Sequence, residues 1–175
     1  MTTALVVYES MFGATRRAAQ AIADGLEPYA TVRVLEVSDA PRVIPEDVGL
    51  VIVGGPTHAF GLSRPNTRAE AAGRTSAPLV SPGDGVREWL KGLQGHEGLA
   101  GAAFGTRVPR RGVPGSAARG IAHRLRRRQV QLLAKAEDLF VGGVGGGLLD
   151  GEADRAREWA GRIGASLASS AGAGR

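Results

Sequence analysis

The chain has 175 residues, of which 43% are hydrophobic and 22% charged, a size and balance that suit one globular domain closing its own core. It has no cysteine, and its three histidines, His58, His96 and His123, lack ligand spacing; disulfides, thiol chemistry and thiolate metal sites are excluded and a zinc site is not expected, so any redox role needs a bound organic cofactor. The formal charge is +5, and all but two of the 22 basic residues are arginines, which reads either as a compositional bias or as attraction to an acidic partner, a phosphate ligand or nucleic acid.

In chain order, residues 3–8 (TALVVY) form an apolar, β-branched run suited to a strand buried on both faces. Met1 leads into it with no basic leader, and no apolar run nears the roughly 18 residues of a membrane span, so a cytoplasmic protein with no membrane span is expected. Residues 14–27 place Ala18, Ile22 and Leu26 on one helical face. Strands follow at 31–37 and 50–53, the latter ended by Gly54-Gly55-Pro56. A helix is expected over 83–93, a fourth strand over 99–104 and a helix over 116–128. A fifth strand begins at Val130, breaks near Lys135 and resumes at 139–141. Asp150 caps a last helix to about Ala168, with Glu152 and Asp154 complementing its dipole. Residues 169–175 are small and polar, and a flexible tail is expected after a domain spanning 1–168.

Strand–helix alternation of this kind predicts a doubly wound parallel sheet, and such sheets bind ligands beyond the carboxyl ends of their strands. The loops after strands one, three and four are therefore the candidate site. In the first, Ser10-Met11-Phe12-Gly13-Ala14-Thr15 joins a strand to a helix. A phosphate there meets free backbone N–H groups, the positive end of the helix and the Ser10 and Thr15 hydroxyls, with Gly13 permitting a tight turn. No G-x-x-x-x-G-K-[ST] is present, and Gly142–Gly147 does not match G-x-G-x-x-G; that run reads as a flexible connection. Strand three also lacks the terminal acidic residue of a phosphorylated receiver domain.

The loop resembles the flavodoxin phosphate signature [ST]-x-[ST]-G-x-T through Ser10, Gly13 and Thr15, with Phe12 in place of a hydroxyl residue and Ala14 where asparagine is common. The resemblance extends over nearly the whole chain through strand order and loop placement. It implies a flavodoxin-like open α/β/α sandwich, a five-stranded parallel sheet of order 2-1-3-4-5, and non-covalently bound FMN. Ser10–Thr15 would hold the phosphate. Pro56, Thr57, His58, Ala59 and Phe60 resemble one ring-binding loop, with His58 or Phe60 against the flavin. Thr106, Arg107 and Val108 resemble the other, although Arg107, Arg110 and Arg111 stand where flavodoxins place a tyrosine and acidic residues. Arg107 is expected nearest the ring, raising the potential of the bound flavin by roughly 40–170 mV.

The resemblance also implies electron transfer. The expected function is an oxidoreductase acting on a quinone or similar acceptor; a flavodoxin-type carrier and a domain that has lost FMN are the alternatives. The expected partner is a redox protein or a small-molecule electron acceptor. The Arg124–Arg128 run closes a helix, where cations complement the dipole, and no nucleic-acid partner is expected from it. The long Leu62–Pro82 segment exceeds an ordinary connection and reads as a lid or a partner surface.

Overall fold

The computed structural model describes residues 1–110 and 112–172. In chain order the elements are β1 (Thr3–Tyr8), α1 (Ala14–Leu26), β2 (Thr31–Glu36), β3 (Val48–His58), β4 (Gly61–Leu62), α2 (Pro65–Ala72), α3 (Val86–Gly92), β5 (Ala100–Arg107), α4 (Ala117–Arg127), β6 (Gln131–Leu132), β7 (Glu137–Phe140) and α5 (Glu152–Gly172). The main sheet is parallel and ordered β2-β1-β3-β5-β6, with β7 also paired to β5. β6 meets Ala100 and Gly101, whereas β7 meets Phe104 to Arg107. The two are halves of one interrupted fifth strand, so the fold is the open sandwich of order 2-1-3-4-5 that the alternation implies.

Alternating side chains of the central strands fill two cores, one on each face of the sheet. Leu5, Val7, Val51 and Val53 pack with Trp89 and Leu90 of α3 and with Ile121 and Leu125 of α4. Ala4, Val6, Leu50 and Ile52 pack with Ile22 of α1 and with Trp159 and Ile163 of α5. The sheet is thereby covered on both faces, and its free surface for a ligand is the carboxyl edge.

Several boundaries differ from the sequence reading. β3 does not stop at Gly54 but runs on to His58, because Gly54, Gly55 and Pro56 pair with Phe104, Gly105 and Thr106 of β5. A Cβ on Gly54 would overlap the Phe104 ring, which occupies that space instead. Pro56 is tolerated because β1 ends opposite Gly54, leaving β3 an edge beyond that point. β5 likewise continues to Arg107. At the last helix, the Gly151 carbonyl accepts from Arg155 N–H, so Gly151 and not Asp150 stands at the N-cap position. That helix includes residues 169–172, part of the stretch expected to form a flexible tail; residues 173–175 lie outside the described residues. No helix among the described residues is long and apolar enough to cross a membrane.

Candidate functional site

A cleft of about 260 Å³ opens at the carboxyl ends of β1, β3 and β5, where the fold leaves strand ends uncovered. At its base, Gly13 sits at the N-cap of α1 with φ +106° and no side-chain cap bond, a left-handed conformation that favours glycine. The amides of Ala14, Thr15 and Arg16 have no hydrogen-bond partner among the described residues. The Ser10 hydroxyl accepts from Gly13 N–H at 3.1 Å, which leaves its own hydrogen to donate. The buried Thr15 and Thr106 hydroxyls lie 2.8 Å apart; one donates to the other, so one hydroxyl hydrogen of the pair is also free.

The base is braced by residues that the sequence reading missed. Ser10 N–H donates to Ser81 Oγ at 3.0 Å, Ser81 N–H returns a bond to the Ser10 carbonyl at 2.8 Å, and Val80 N–H donates to the Met11 carbonyl at 3.0 Å. Nothing in the local pattern marks this pairing, which joins residues some seventy positions apart.

At the other end, β3 and β4 form an antiparallel hairpin in which Thr57 faces Leu62 and His58 faces Gly61. Its two turn residues are Ala59 (φ 42°) and Phe60 (φ 74°). Left-handed turn positions ordinarily hold Asn or Gly, and each side chain there costs roughly 1–2 kcal/mol. Phe60, at the tip, is 63% exposed. Gly115 supports the tip from below: it has φ +100°, and a Cβ there would overlap the Phe60 carbonyl.

His58 contacts Thr67 Oγ1 through Nδ1 at 3.1 Å. The Thr67 hydroxyl donates to the Arg64 carbonyl, so the hydrogen between His58 and Thr67 belongs to Nδ1, leaving Nε2 as an acceptor. Burial, with Arg68 and Arg74 nearby, holds the His58 pKa below its usual 6.5, and the ring is neutral at pH 7.

Arg107 lines the cleft, but its guanidinium is engaged elsewhere. Nη2 donates to the Val113 carbonyl at 3.0 Å and Nη1 to the Gly115 carbonyl at 2.8 Å, while Asp138 lies 3.6 Å away. Asp138 also accepts from Ser116 Oγ at 2.7 Å, and Ser116 Oγ caps α4 by accepting from Arg119 N–H. Arg107 thus fastens the loop while lining the cleft, and Asp138 offsets its charge. Arg110 is exposed, and Arg111 lies outside the described residues.

Ser10, Met11, Phe12, Ala14, Thr15, Pro56, Thr57, His58, Ala59, Thr106, Arg107 and Val108 all line the cleft. Gly13 and Phe60 do not: one sets the helix start, the other stands at the hairpin tip. Two further walls were not foreseen. The glycine run read as a flexible connection is closed by Gly142 N–H to the Gly147 carbonyl and Gly146 N–H to the Gly143 carbonyl, each at 3.0 Å, and it contributes Val144 and three glycines to the lining. α2 contributes Thr67, Glu70, Ala71 and Arg74.

α2 is anchored by a buried polar network. Arg68, only 8% exposed, donates to Ser63 Oγ at 3.0 Å and pairs with Glu88 at 3.2 Å. The Ser63 hydroxyl donates to Glu9 Oε1, and Glu9 Oε2 accepts from Val86 N–H at 2.9 Å. Glu9 is fully buried; burial pushes its carboxyl pKa up, against the opposing Ser63 and Val86 hydrogen bonds and the Arg68 charge. Within the Leu62–Pro82 segment, α2 is thus tied to the body of the domain and forms one wall of the cleft.

The sequence model of the Flavodoxin family matches residues 6–105, more than half of the chain and all of the phosphate-type loop. The chain belongs to the flavodoxin family. An archaeal flavodoxin aligns with 20% identity and a TM-score of 0.65 over 95% of this chain and 99% of its own. Flavodoxin 1 from Bacillus cereus aligns with 15% identity and a TM-score of 0.66 over 93% and 97%. Rubredoxin oxygen:oxidoreductase from Desulfovibrio gigas matches 97% of this chain at 19% identity and a TM-score of 0.65, but only 37% of its own length. No curated protein sequence matches. The cofactor of this flavodoxin-family chain is FMN, and its chemistry is electron transfer with redox partners.

Proposed function

We propose that the cleft holds FMN with its phosphate on Ser10–Thr15, and that the chain is an oxidoreductase passing electrons to a planar apolar acceptor of the quinone type. The donor set suits the cofactor. Three unpartnered amides at a helix start, with the hydroxyls of Ser10 and of the Thr15–Thr106 pair, suit a phosphate dianion. The Pro56–Phe60 hairpin and Thr106–Val108 would flank the ring, with α2 and the glycine turn closing the sides. When bound, FMN supplies the reversible uptake of electrons and protons.

The protein positions the cofactor and shapes access to it. Arg107 fixes the loop beside β5, Arg68 fixes α2, and His58 offers a neutral proton acceptor at Nε2. The observation that carries the acceptor class is the rim: Phe12, Phe60 and Val144 are exposed large apolar side chains in or beside the cleft mouth. Exposed apolar groups gathered at a cleft mouth favour an apolar guest.

The test is anaerobic stopped-flow reoxidation of the reduced holoprotein by a benzoquinone. A rate that saturates with quinone concentration, with weaker saturation in Phe60→Ser, supports the reading. A slow, strictly linear dependence in both proteins favours the carrier alternative, which the near-complete alignments with two flavodoxins support.

A further inference from the structure

α3 and α4 lie side by side on one face of the sheet, and each carries a basic i, i+4 pair: Arg87 and Lys91 on α3, Arg124 and Arg128 at the end of α4. The Arg128 guanidinium donates to the Lys91 carbonyl and joins the two helix ends. At the opposite end, Arg87 donates to the Ser63 and Leu62 carbonyls, both at 2.9 Å. Arg124 donates to the Gly120 carbonyl at 3.0 Å, and α4 packs against β4 there, where a Cβ on Gly120 would meet the Leu62 side chain. Arg64, exposed, follows directly in the chain. Three guanidiniums therefore converge on Leu62–Arg64, although they come from three separate helical regions and form no cluster in the sequence.

These cations are oriented but not neutralised. The acceptors of Arg87, Arg124 and Arg128 are carbonyl dipoles, and among the described residues none of Arg64, Arg87, Lys91, Arg124 or Arg128 forms a salt bridge. The nearby carboxylates are already engaged. Glu88 pairs with Arg68 and accepts from Gly85 N–H, and Asp84 pairs with Arg42 at 3.7 Å. Burial, followed by the Arg124 and Arg64 charges, lowers the Arg87 pKa, a sign of mutual repulsion that an incoming anion would relieve. A guanidinium held by one or two donors keeps others for a partner.

We infer that the Arg64–Arg87–Lys91–Arg124–Arg128 face docks an acidic electron-transfer protein. The patch joins the redox cleft through β4, which pairs directly with Thr57 and His58, so a protein seated there abuts the ring end of the site. The exposed aromatic side chains are Phe12 and Phe60, at the cleft, so the patch lacks the stacking platforms of a single-strand nucleic-acid surface. The inference rests on electron transfer by bound FMN and not on the quinone as acceptor.

The test uses the FMN-loaded protein and a photoreduced acidic [2Fe–2S] ferredoxin. One electron leaves the iron–sulfur cluster, which is oxidised, and enters the bound flavin, which is reduced. Between about 20 and about 200 mM ionic strength, the second-order rate for wild type should fall at least about tenfold. Arg64→Glu/Arg124→Glu should lower the low-salt rate by a similar factor and flatten the salt dependence. Arg33→Glu, a single charge reversal on the far edge strand, should leave most of the rate. Should the double reversal lose its flavin spectrum, Arg64→Gln/Lys91→Gln should show an intermediate loss with the spectrum intact.

Salt-independent wild-type rates, or an equal loss in Arg33→Glu, would overturn the docking face. So would a duplex oligonucleotide that binds at about 150 mM salt and is released by the double reversal. Benzoquinone reoxidation is read in parallel: if it stays intact while the ferredoxin rate is unaffected by the patch, the docking face fails and the quinone reading stands.

Discussion

At the base of the cleft, the groups aimed at the ligand are backbone amides and short hydroxyls, set by one helix start and by a glycine that no side chain caps. At the ring end, the walls are long-range constructions: a hairpin with two left-handed side-chain residues, a loop fastened by Arg107, and a helix pinned through Arg68. The first kind of site is written chiefly in six consecutive residues, to which Thr106 and the Ser81 brace are added from elsewhere in the chain. The second depends on contacts between positions far apart in sequence, and its failure modes are tertiary.

The largest expected effect comes from breaking the tertiary side of this contrast. Arg68→Met removes the cation from a buried network that contains Glu9 and Glu88, and should cost about 3–5 kcal/mol in urea unfolding. Arg68→Lys should recover part of that loss; no change in either variant would show that α2 is not held there. On the local side, Thr15→Val removes a hydroxyl from the proposed phosphate site. It should weaken FMN by roughly 1.5–3 kcal/mol, about 10- to 150-fold, and lower the unfolding free energy by about 1–3 kcal/mol, because the buried Thr106 hydroxyl loses its partner.

Smaller effects sharpen the comparison at the ring end. Ala59→Gly relieves a left-handed alanine and should stabilise the fold by about 1 kcal/mol, measurable as a shift in the urea midpoint. Arg107→Gln should move the flavin potential by less than about 40 mV, the value of a unit charge about 4 Å away in water, because Asp138 already offsets the charge and the guanidinium is spent on Val113 and Gly115. A larger lowering in a spectroelectrochemical titration would restore the cation to the ring.

The same contrast explains what the sequence disclosed. The TALVVY strand, the helix face at Ala18, Ile22 and Leu26, the split fifth strand and the position of the phosphate-type loop all follow from short-range periodicity and turn chemistry. The continuation of β3 through Gly-Gly-Pro did not, because those residues normally end a strand and are retained here by pairing to β5. The Ser81 brace, the Arg68 network and the glycine-turn wall depend on partners remote in sequence, and a single sequence carries no periodic signal for them. Arg107 was legible as a cation near the site, but Asp138, which offsets it, lies some thirty residues on.

The central claim is that Ser10–Thr15 carries the phosphate of FMN, and it is tested most directly by titrating the apoprotein with FMN and with riboflavin, following flavin fluorescence. The two ligands share a ring and differ in the phosphate. FMN should bind at least about 100-fold more tightly, equivalent to about 2.7 kcal/mol, and Thr15→Val should narrow that gap. Equal affinity for the two flavins in the wild-type protein would contradict the assignment.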